Sequence, residues 1–183
     1  AVVQKNLEQW FFKITKYADE LLSGLDGLDW PESLKTMQRN WIGKKDGVVI
    51  AHDVEGCDLT LDAFSAYPAW LYADTYLVIA PEHPLVFELV AGMELEADVR
   101  AFVQEMKNVG TAERGEADRE KKGVFTGRYA IDPLRGTKMP IWLANFALMG
   151  FGTGVIRCSS HDPRDVEFAK KYAIELREVA ERL

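Results

Sequence analysis

The chain is poor in the side chains that build metal and redox sites. Only two cysteines and three histidines occur among its 183 residues. Cys57 and Cys158 form no CxxC pair, and no HxH or HxxxH spacing occurs. We therefore expect no metal site and, in particular, no structural zinc. We predict that both cysteines are free, buried thiols of a protein from a reducing compartment such as the cytoplasm.

Long apolar runs and an excess of basic residues are also missing. No run approaches the ~20 apolar residues of a membrane-spanning helix, so no membrane span is expected. The first residues, AVVQKN, lack the apolar segment of a secretory signal. The net charge of −7 argues against autonomous, high-affinity binding of nucleic acid, which needs a basic face. It leaves open a domain tethered to another domain that grips the nucleic acid.

What the chain does have is helical periodicity at both ends. Apolar residues recur at three- and four-residue spacing over 4–24 and over 163–183, which predicts a helix in each range. A short helix is also predicted between Pro31 and Gly43, with the proline in its first turn. Residues 1–46 are therefore expected to form a helical entry segment.

The middle of the chain changes to strand-like patterns. A hairpin is predicted around Glu55-Gly56, and TYLVIA is predicted to be a buried strand. Three more strands are predicted, at 123–132, 138–148 and 153–160. A helical insertion is predicted at about 84–109.

This order of elements is not a regular βαβ alternation. It predicts one domain over 1–183 with a mixed α/β (α+β) fold. The β-rich core, 47–162, is expected to be a barrel-like or sandwich-like mixed sheet with flanking helices, followed by the C-terminal helix from 163.

The segment HDPRD is the densest cluster of ionisable groups beside a predicted strand. Asp162 is predicted to cap the last helix, with Pro163 at the first helical position. Asp165 has two interpretations: a surface carboxylate favoured by the helix dipole, or a carboxylate that points into a cleft and holds a cationic group such as a ligand's ammonium. For His161 a packing role is favoured over a ligand-binding role.

Two further patterns carry little chemistry. GFGTG, at 150–154, precedes a strand instead of opening a helix, so its glycines are expected to allow a tight turn or a close approach to a ligand rather than to bind phosphate. No serine lies in a GxSxG pattern. The residues alone indicate a soluble mixed α/β domain with a small cleft.

Several segments resemble the editing domain of leucyl-tRNA synthetase, and together they extend from about residue 8 to residue 172. They are EQWFFKITKYADELL with WPESLKTMQRNWIGK, TYLVIAPEHPLV, GVFTGRYAIDPLRGTKMPIWLANFALMGFGTGV and HDPRDVEFAKKY. The last of these is similar to the family's HDxRDxxFAxxY. No HIGH-like or KMSKS-like segment of a class I catalytic core is present, so the chain resembles the inserted editing domain only. Such a chain is expected to be either excised from a synthetase or a stand-alone domain.

The resemblance implies hydrolysis of the ester that links a wrong amino acid, of the norvaline, isoleucine or methionine class, to tRNA(Leu). This second pocket removes near-isosteres that the synthetic site cannot reject. The implied partners are the aminoacylated 3′ end of tRNA(Leu) and the catalytic core of the parent synthetase. No cofactor is implied for this domain, since ATP binds the parent's core, and a monomer is expected.

The resemblance also implies the site residues. Asp165 would hold the substrate's α-ammonium, and Asp162 and the hydroxyl of Ser65 complete the implied catalytic set. A positioned water would attack, with hydroxyl and backbone groups stabilising the oxyanion. The implied substrate-binding residues are Phe64, Ala66, Tyr67, Trp70, Thr153, Ile156, Cys158 and His161.

The loop between the second and third predicted strands departs from the family. Where the family has TTRPDTLFG, this chain has SAYPAWLYA. The two leading threonines become Ser65 and Ala66, and the Arg and Asp that anchor the loop become Tyr67 and Ala69. The third threonine, whose bulk shuts leucine out of the family's pocket, becomes Trp70.

Three functions remain open from the sequence. The domain edits with an unusual pocket; it has lost hydrolysis and keeps a structural or tRNA-positioning role; or it is a stand-alone module that binds another aminoacyl or amino-acid ligand. The lost hydroxyls predict impaired or lost hydrolysis. A further departure is Arg157, which stands where the family has a small residue. A Trp70 indole close to Asp165 in the cleft would indicate a blocked pocket. The alternative is that Trp70 packs in the core, with a different loop path, and faces away from Asp165.

Overall fold

The chain divides into two compact units, 1–46 and 47–183, which are described separately. The computed structural model describes residues 7–109, 114 and 120–178. Within these residues, no helix has both the length and the apolar character needed to cross a membrane.

The first unit is built of short helices. These are a 3-10 helix at Ile14–Tyr17, α1 at Ala18–Gly24, a second 3-10 helix at Leu25–Gly27 and α2 at Glu32–Ile42. The helix predicted after Pro31 is confirmed. It ends because Gly43 adopts the left-handed conformation (φ 68°) and its N–H donates to the Arg39 carbonyl.

The helix predicted over 4–24 is wrong at its start. Residues 7–13 form no regular helix, and residues 4–6 lie outside the described residues. The apolar side chains of this stretch are exposed, Trp10 at 102 % and Phe12 at 95 %. An amphipathic helix is stabilised mainly by burial of its apolar face, so a stripe that buries little surface does not hold the helix.

The second unit contains one six-stranded sheet. Its strands are β1 (Val48–Asp53), β2 (Thr60–Ser65), β3 (Tyr76–Ile79), β4 (Gly123–Ile131), β5 (Lys138–Ala144) and β6 (Val155–Cys158). They are arranged in the order β1-β2-β6-β3-β5-β4. The pairs β2–β6 and β3–β5 are parallel and the other three pairs are antiparallel. The helices of this unit are α3 (Val86–Val90), α4 (Glu96–Lys107) and α5 (Pro163–Lys171).

The predicted mixed α+β fold, with its hairpin, mixed sheet and flanking helices, is confirmed. The barrel-like closure is not found in the described part of the chain. A closed barrel needs a continuous ladder between its first and last strands. Here the edge regions of β1 and β4 are joined by a single bridge, Val54 to Ala130, so the sheet remains open.

Strand β3 is buried on both faces and lies at the centre of the core. Leu77 and Ile79 pack into one apolar cluster with α3 and α4. Tyr76 and Val78, which point the opposite way, pack into a second cluster with Phe168 of α5. Because β6 lies beside β3 and leads into α5, this packing places the HDPRD segment at the end of β6.

The C-terminal helix is shorter than predicted. It ends at Lys171, and the prediction is wrong for 172–178, while 179–183 lie outside the described residues. Ala173 adopts a left-handed conformation with φ 53°, and the Ile174 N–H donates to the Ala169 carbonyl at 2.8 Å. This turn brings Ile174 and Leu176 back against the second apolar cluster, so burial of these side chains favours ending the helix.

A glycine in β4 is predicted to be required for the packing of α5. A Cβ on Gly123 would lie 2.3 Å from the Leu143 carbonyl oxygen and 2.6 Å from the Phe168 ring. Gly123→Ala should therefore lower the free energy of unfolding by about 1–3 kcal/mol. Gly150→Ala is the matched control, because a Cβ there meets nothing within 4 Å. Urea unfolding followed by circular dichroism measures both, and equal stability of the two variants would contradict the packing described.

Candidate functional site

The loop between β2 and β3 is a short 3-10 helix, Pro68–Ala73, with proline at its start. The chain enters it through a side-chain turn, in which the Ser65 Oγ accepts a hydrogen bond from the Tyr67 N–H at 3.3 Å. Proline fixes its own φ angle near the helical value and loses no intrahelical bond at this position. The local sequence therefore sets the direction in which the loop leaves β2.

Three rings from the loop and the HDPRD segment form a stack. Tyr67 stacks on Trp70 with ring centroids 4.4 Å apart and an interplanar angle of 21°. Trp70 in turn stacks on His161 at 5.2 Å and 29°. The Trp70 indole thus lies between the rings of Tyr67, in the same loop, and His161, in the HDPRD segment.

Asp162 caps α5, as predicted. Its carboxylate accepts a hydrogen bond from the Arg164 N–H at 2.8 Å, and Pro163 occupies the first helical position. An aspartate at this position accepts a hydrogen bond from one of the free N–H groups of the first turn, and its negative charge is stabilised by the helix dipole. Asp162 therefore has a structural role that accounts for its placement.

Asp165 is buried, so the interpretation as a surface carboxylate is wrong. The residue is 3 % exposed. Its Oδ2 accepts from the Ser159 N–H at 3.2 Å, and its Oδ1 accepts from the Arg164 Nε at 3.1 Å. Burial raises the pKa of Asp165 to about 6, and the neighbouring Arg164 opposes this rise. Both carboxylate oxygens already have partners within the chain.

Arg164 links the two aspartates of the segment. Its guanidinium lies 3.0 Å from the Asp165 Oδ1 and 3.5 Å from the Asp162 Oδ2. It also lies over the Phe146 ring, 4.7 Å from the centroid. Arg164 thus helps to hold both carboxylates in place at the start of α5.

The remaining predicted residues lie along β2 and β6. Phe64 and Ile156 are partners in the parallel pair β2–β6. Thr153 bonds through its hydroxyl to the backbone of Val155 at 3.3 Å. Cys158 is fully buried in the second apolar cluster. Burial raises the pKa of its thiol well above the ordinary value, so the group stays protonated and is not a nucleophile.

The structure brings some of the predicted residues together but not all. Tyr67, Trp70 and His161 form one stack, and Asp162 and Asp165 share Arg164. Half-buried Ala66 lies in the bend before the 3-10 helix. In the described residues, the side-chain hydrogen bond of Ser65 goes to Tyr67 alone, so no hydrogen bond joins it to either aspartate. No group of three metal-ligating side chains is found in that part of the chain.

A buried cluster of charged residues beneath the loop was missed as a unit by sequence reasoning. This buried charge cluster consists of His52, Asp74, Asp132, Arg135 and Arg157. One signal was present: Arg157 lies in the middle of the apolar strand VIRC. A charge in a buried strand needs a partner, but the sequence does not say which distant residues supply it.

Comparisons with known proteins agree on one family. The family model described as "Leucyl-tRNA synthetase, editing domain" matches residues 39–182. Leucine–tRNA ligases from two strains of Nitratidesulfovibrio vulgaris, DP4 and Hildenborough, are each 48 % identical over 182 residues, covering 98 % of this chain and 22 % of the ligase. The chain thus spans about a fifth of the length of these relatives.

A solved structure is similar over nearly the whole chain. It is the crystal structure of the ternary complex of Agrobacterium radiobacter K84 agnB2 LeuRS-tRNA-LeuAMS. The match has a TM-score of 0.79 and 34 % sequence identity, and it covers 96 % of this chain and 21 % of the solved chain.

The charges of Arg164 and Asp162 are predicted to shift the pKa of Asp165 in opposite directions. Arg164→Met should raise the pKa of the Asp165 carboxyl further above 6, because the arginine's charge lowers it. Asp162→Asn should lower that pKa, because the Asp162 charge raises it. Carboxyl ¹³C shifts followed by NMR through a pH titration measure both. Shifts of the same sign in the two variants would contradict this electrostatic picture.

The same shift predicts a pH dependence of stability. The folded carboxyl of Asp165 binds its proton more tightly than the unfolded one, with pKa about 6 against 3.8. Its contribution to stability is therefore full below about pH 3.8 and is lost as the pH rises through 6. Asp165→Asn should remove this component, so between these two pH values the free energy of unfolding of the variant should fall less, or rise more, than that of the unmodified chain. An unchanged slope in the variant would contradict the raised pKa.

Proposed function

Because this chain belongs to the leucyl-tRNA synthetase editing-domain family, we propose that it is an editing domain with strongly impaired ester hydrolysis. It acts inside a longer cytoplasmic leucine–tRNA ligase and keeps a role in positioning the aminoacylated 3′ end of tRNA(Leu) beside the ligase core. ATP binds that core, and the editing domain itself takes no cofactor.

The stacked indole of Trp70 carries this proposal. The resemblance places a size-selecting threonine at this position, and a tryptophan is several times larger. Its ring stacks on that of His161, one of the residues that the resemblance implies for substrate binding. Stacked aromatic pairs are stabilised by about 0.5–1.5 kcal/mol beyond burial, which favours this occupied arrangement over one in which the ring swings out.

The loss of hydroxyl groups from the loop also supports impaired hydrolysis. Ala66 and Trp70 have none, and Ser65 keeps one hydroxyl, whose oxygen accepts from the Tyr67 N–H while its O–H stays able to donate. Each lost oxyanion donor typically costs about 10²–10³-fold in rate. Two missing hydroxyls are enough to make water attack on the ester slow even where the substrate can enter.

Asp165 keeps the features that the resemblance implies for binding an α-ammonium, so the proposed impairment rests on the loop and not on this residue. A carboxylate reads an ammonium well when it offers a free oxygen in a partly desolvated cleft. Both oxygens of Asp165 are bonded to Ser159 and Arg164. Each carboxylate oxygen accepts two hydrogen bonds, so one acceptor site on Oδ2 remains for an ammonium, and Arg164 itself belongs to the HDxRD pattern of the family.

The exposed ring of Tyr67 supports a role of this domain in positioning the 3′ end of the tRNA. Tyr67 forms one end of the ring stack and is 55 % exposed. Exposed aromatic rings bind unpaired nucleobases by stacking, at about 1–3 kcal/mol per base. The similar solved protein is a complex with tRNA, which agrees with an RNA partner for a domain of this type.

Deacylation in a full-length ligase tests the proposal. A chimera in which this chain replaces the equivalent segment of the N. vulgaris ligase is given tRNA(Leu) charged with norvaline or isoleucine. Its hydrolysis rate is expected to be at least ~10²-fold below that of the unmodified ligase. The combined variant Ser65→Thr, Ala66→Thr and Trp70→Thr should recover part of this loss.

Controls separate a blocked pocket from a misfolded chimera. Leucylation of tRNA(Leu) by the chimera should remain, since it uses the ligase core, and its affinity for tRNA(Leu) should stay close to that of the unmodified ligase. Hydrolysis near the rate of the unmodified ligase, abolished by Asp165→Ala, would overturn the proposal.

A further inference from the structure

We infer that Arg157, assisted by Arg135, is the positioning residue that fixes the loop of residues 66–74 over the site and so holds Trp70 against His161. This inference deepens the proposed function, because it rests on the loop lying across the implied amino-acid pocket. The loop makes few hydrogen bonds to the rest of the unit, and the guanidinium groups of buried Arg157 and half-buried Arg135 make most of them.

Arg157 lies in β6 directly beneath the loop. The residue is 6 % exposed, and its guanidinium contacts four residues from distant parts of the chain. The Nε donates to the Asp74 carboxylate at 2.6 Å, and an Nη donates to the Leu71 carbonyl at 2.9 Å. The remaining donors reach the His52 Nε2 at 2.6 Å and the Asp132 Oδ1 at 3.3 Å.

Arg135, in the turn between β4 and β5, also donates hydrogen bonds to this loop. One Nη donates to the Tyr72 carbonyl at 3.1 Å, and the other donates to the Asp74 carbonyl. Its Nε donates to the Asp132 carboxylate at 2.5 Å. Asp132 thus joins the two arginines, and the pair together bind the loop through backbone at three positions and through one carboxylate.

The charges of the cluster balance. Two guanidinium groups face the carboxylates of Asp74 and Asp132, and the fifth member, His52, is neutral. Burial, together with the charge of Arg157, lowers the pKa of His52. Its Nδ1–H donates to the Ile50 carbonyl at 2.8 Å, which leaves Nε2 free to accept from the arginine. A balanced, fully bonded cluster is the form in which buried charges are tolerated.

The loop has few other attachments. The hydrogen bonds made by its own N–H groups are local, as in Trp70 N–H to the Tyr67 carbonyl. Apart from bonds within the loop and the bond to neighbouring Ser65, every hydrogen bond of residues 66–74 in the described part of the chain is made with Arg135 or Arg157. Besides these hydrogen bonds, the loop is held by packing of buried Ala73 at its end and by the ring stack on His161. Without the arginines, only this packing and the stack would position the loop.

The geometry calls for arginine specifically. A guanidinium has five N–H donors in a rigid plane, and Arg157 uses them on four residues that lie around it. A lysine ammonium has three donors around a single point and is more strongly hydrated. Arg157→Lys would therefore keep the charge and lose most of the bonds to the loop.

Amide hydrogen exchange in the 183-residue chain tests this inference. Arg157→Met should raise exchange of amides in 66–75 at least ~tenfold relative to amides in β3 and β5. Arg157→Lys should give a smaller rise in the same residues. Arg128→Met is the matched control, since Arg128 also donates to backbone carbonyls, of Leu89 and Glu55, but none belong to the loop.

Tryptophan fluorescence gives a second readout of the same loop. The difference in acrylamide quenching between a chain with Trp70 and one with Trp70→Phe isolates this indole. Its quenching should increase at least ~twofold in the Arg157→Met background as the stack on His161 opens. The Arg128→Met background should leave it unchanged.

Exchange in 66–75 that is unchanged by Arg157→Met, or raised no more than in the rest of the sheet, would overturn the inference. If Arg157→Met does not fold, Arg135→Met decides in its place, because it releases two loop carbonyls from the edge of the cluster; unchanged exchange would again overturn it. Neither readout involves a substrate. Efficient deacylation by the chimera would therefore contradict the proposed function without bearing on the anchoring.

Discussion

Pairing of Arg157 with two buried carboxylates constrains much of the second unit. The five members of the buried charge cluster come from β1, the 66–74 loop, the turn after β4 and β6. Removal of one partner from a buried ion pair typically costs about 3–5 kcal/mol, because the other charge is left uncompensated. His52 lies in edge strand β1, and Asp132 directly follows the opposite edge strand, β4. The cluster therefore joins two edges whose backbones are otherwise paired only at the Val54–Ala130 bridge.

The chemistry of the site follows from that constraint. Once Leu71, Tyr72 and Asp74 are fixed by the arginines, the preceding residues of the short 3-10 helix have little freedom. Trp70 then lies against His161, where the family's resemblance places the amino-acid pocket. Asp165 is held in place by hydrogen bonds from Arg164 and from the Ser159 N–H. An aromatic stack thus stands where the resemblance implies a substrate side chain.

Sequence patterns predicted the features that depend on local rules. The cap at Asp162 followed from an aspartate before a proline at the start of an amphipathic helix, and the hairpin followed from Glu55-Gly56. The orientation of Trp70 could not be predicted, because a tryptophan in a loop packs equally well inward or outward by pattern alone. The buried charge cluster was also beyond reach, since its partners at 74, 132 and 157 meet only after the sheet forms. The ends of the two outer helices were wrong because burial, rather than periodicity, set where each one began or stopped.

A blocked pocket is tested most directly by binding, without the chemical step. A non-hydrolysable 3′-norvalyl-adenosine analogue is titrated into the chain and into its Trp70→Thr variant by calorimetry. A pocket filled by the indole predicts a Kd weaker than about 1 mM for the unmodified chain and at least ~tenfold tighter binding for the variant. Equal affinities, or tight binding by the unmodified chain that is lost on Asp165→Ala, would contradict it.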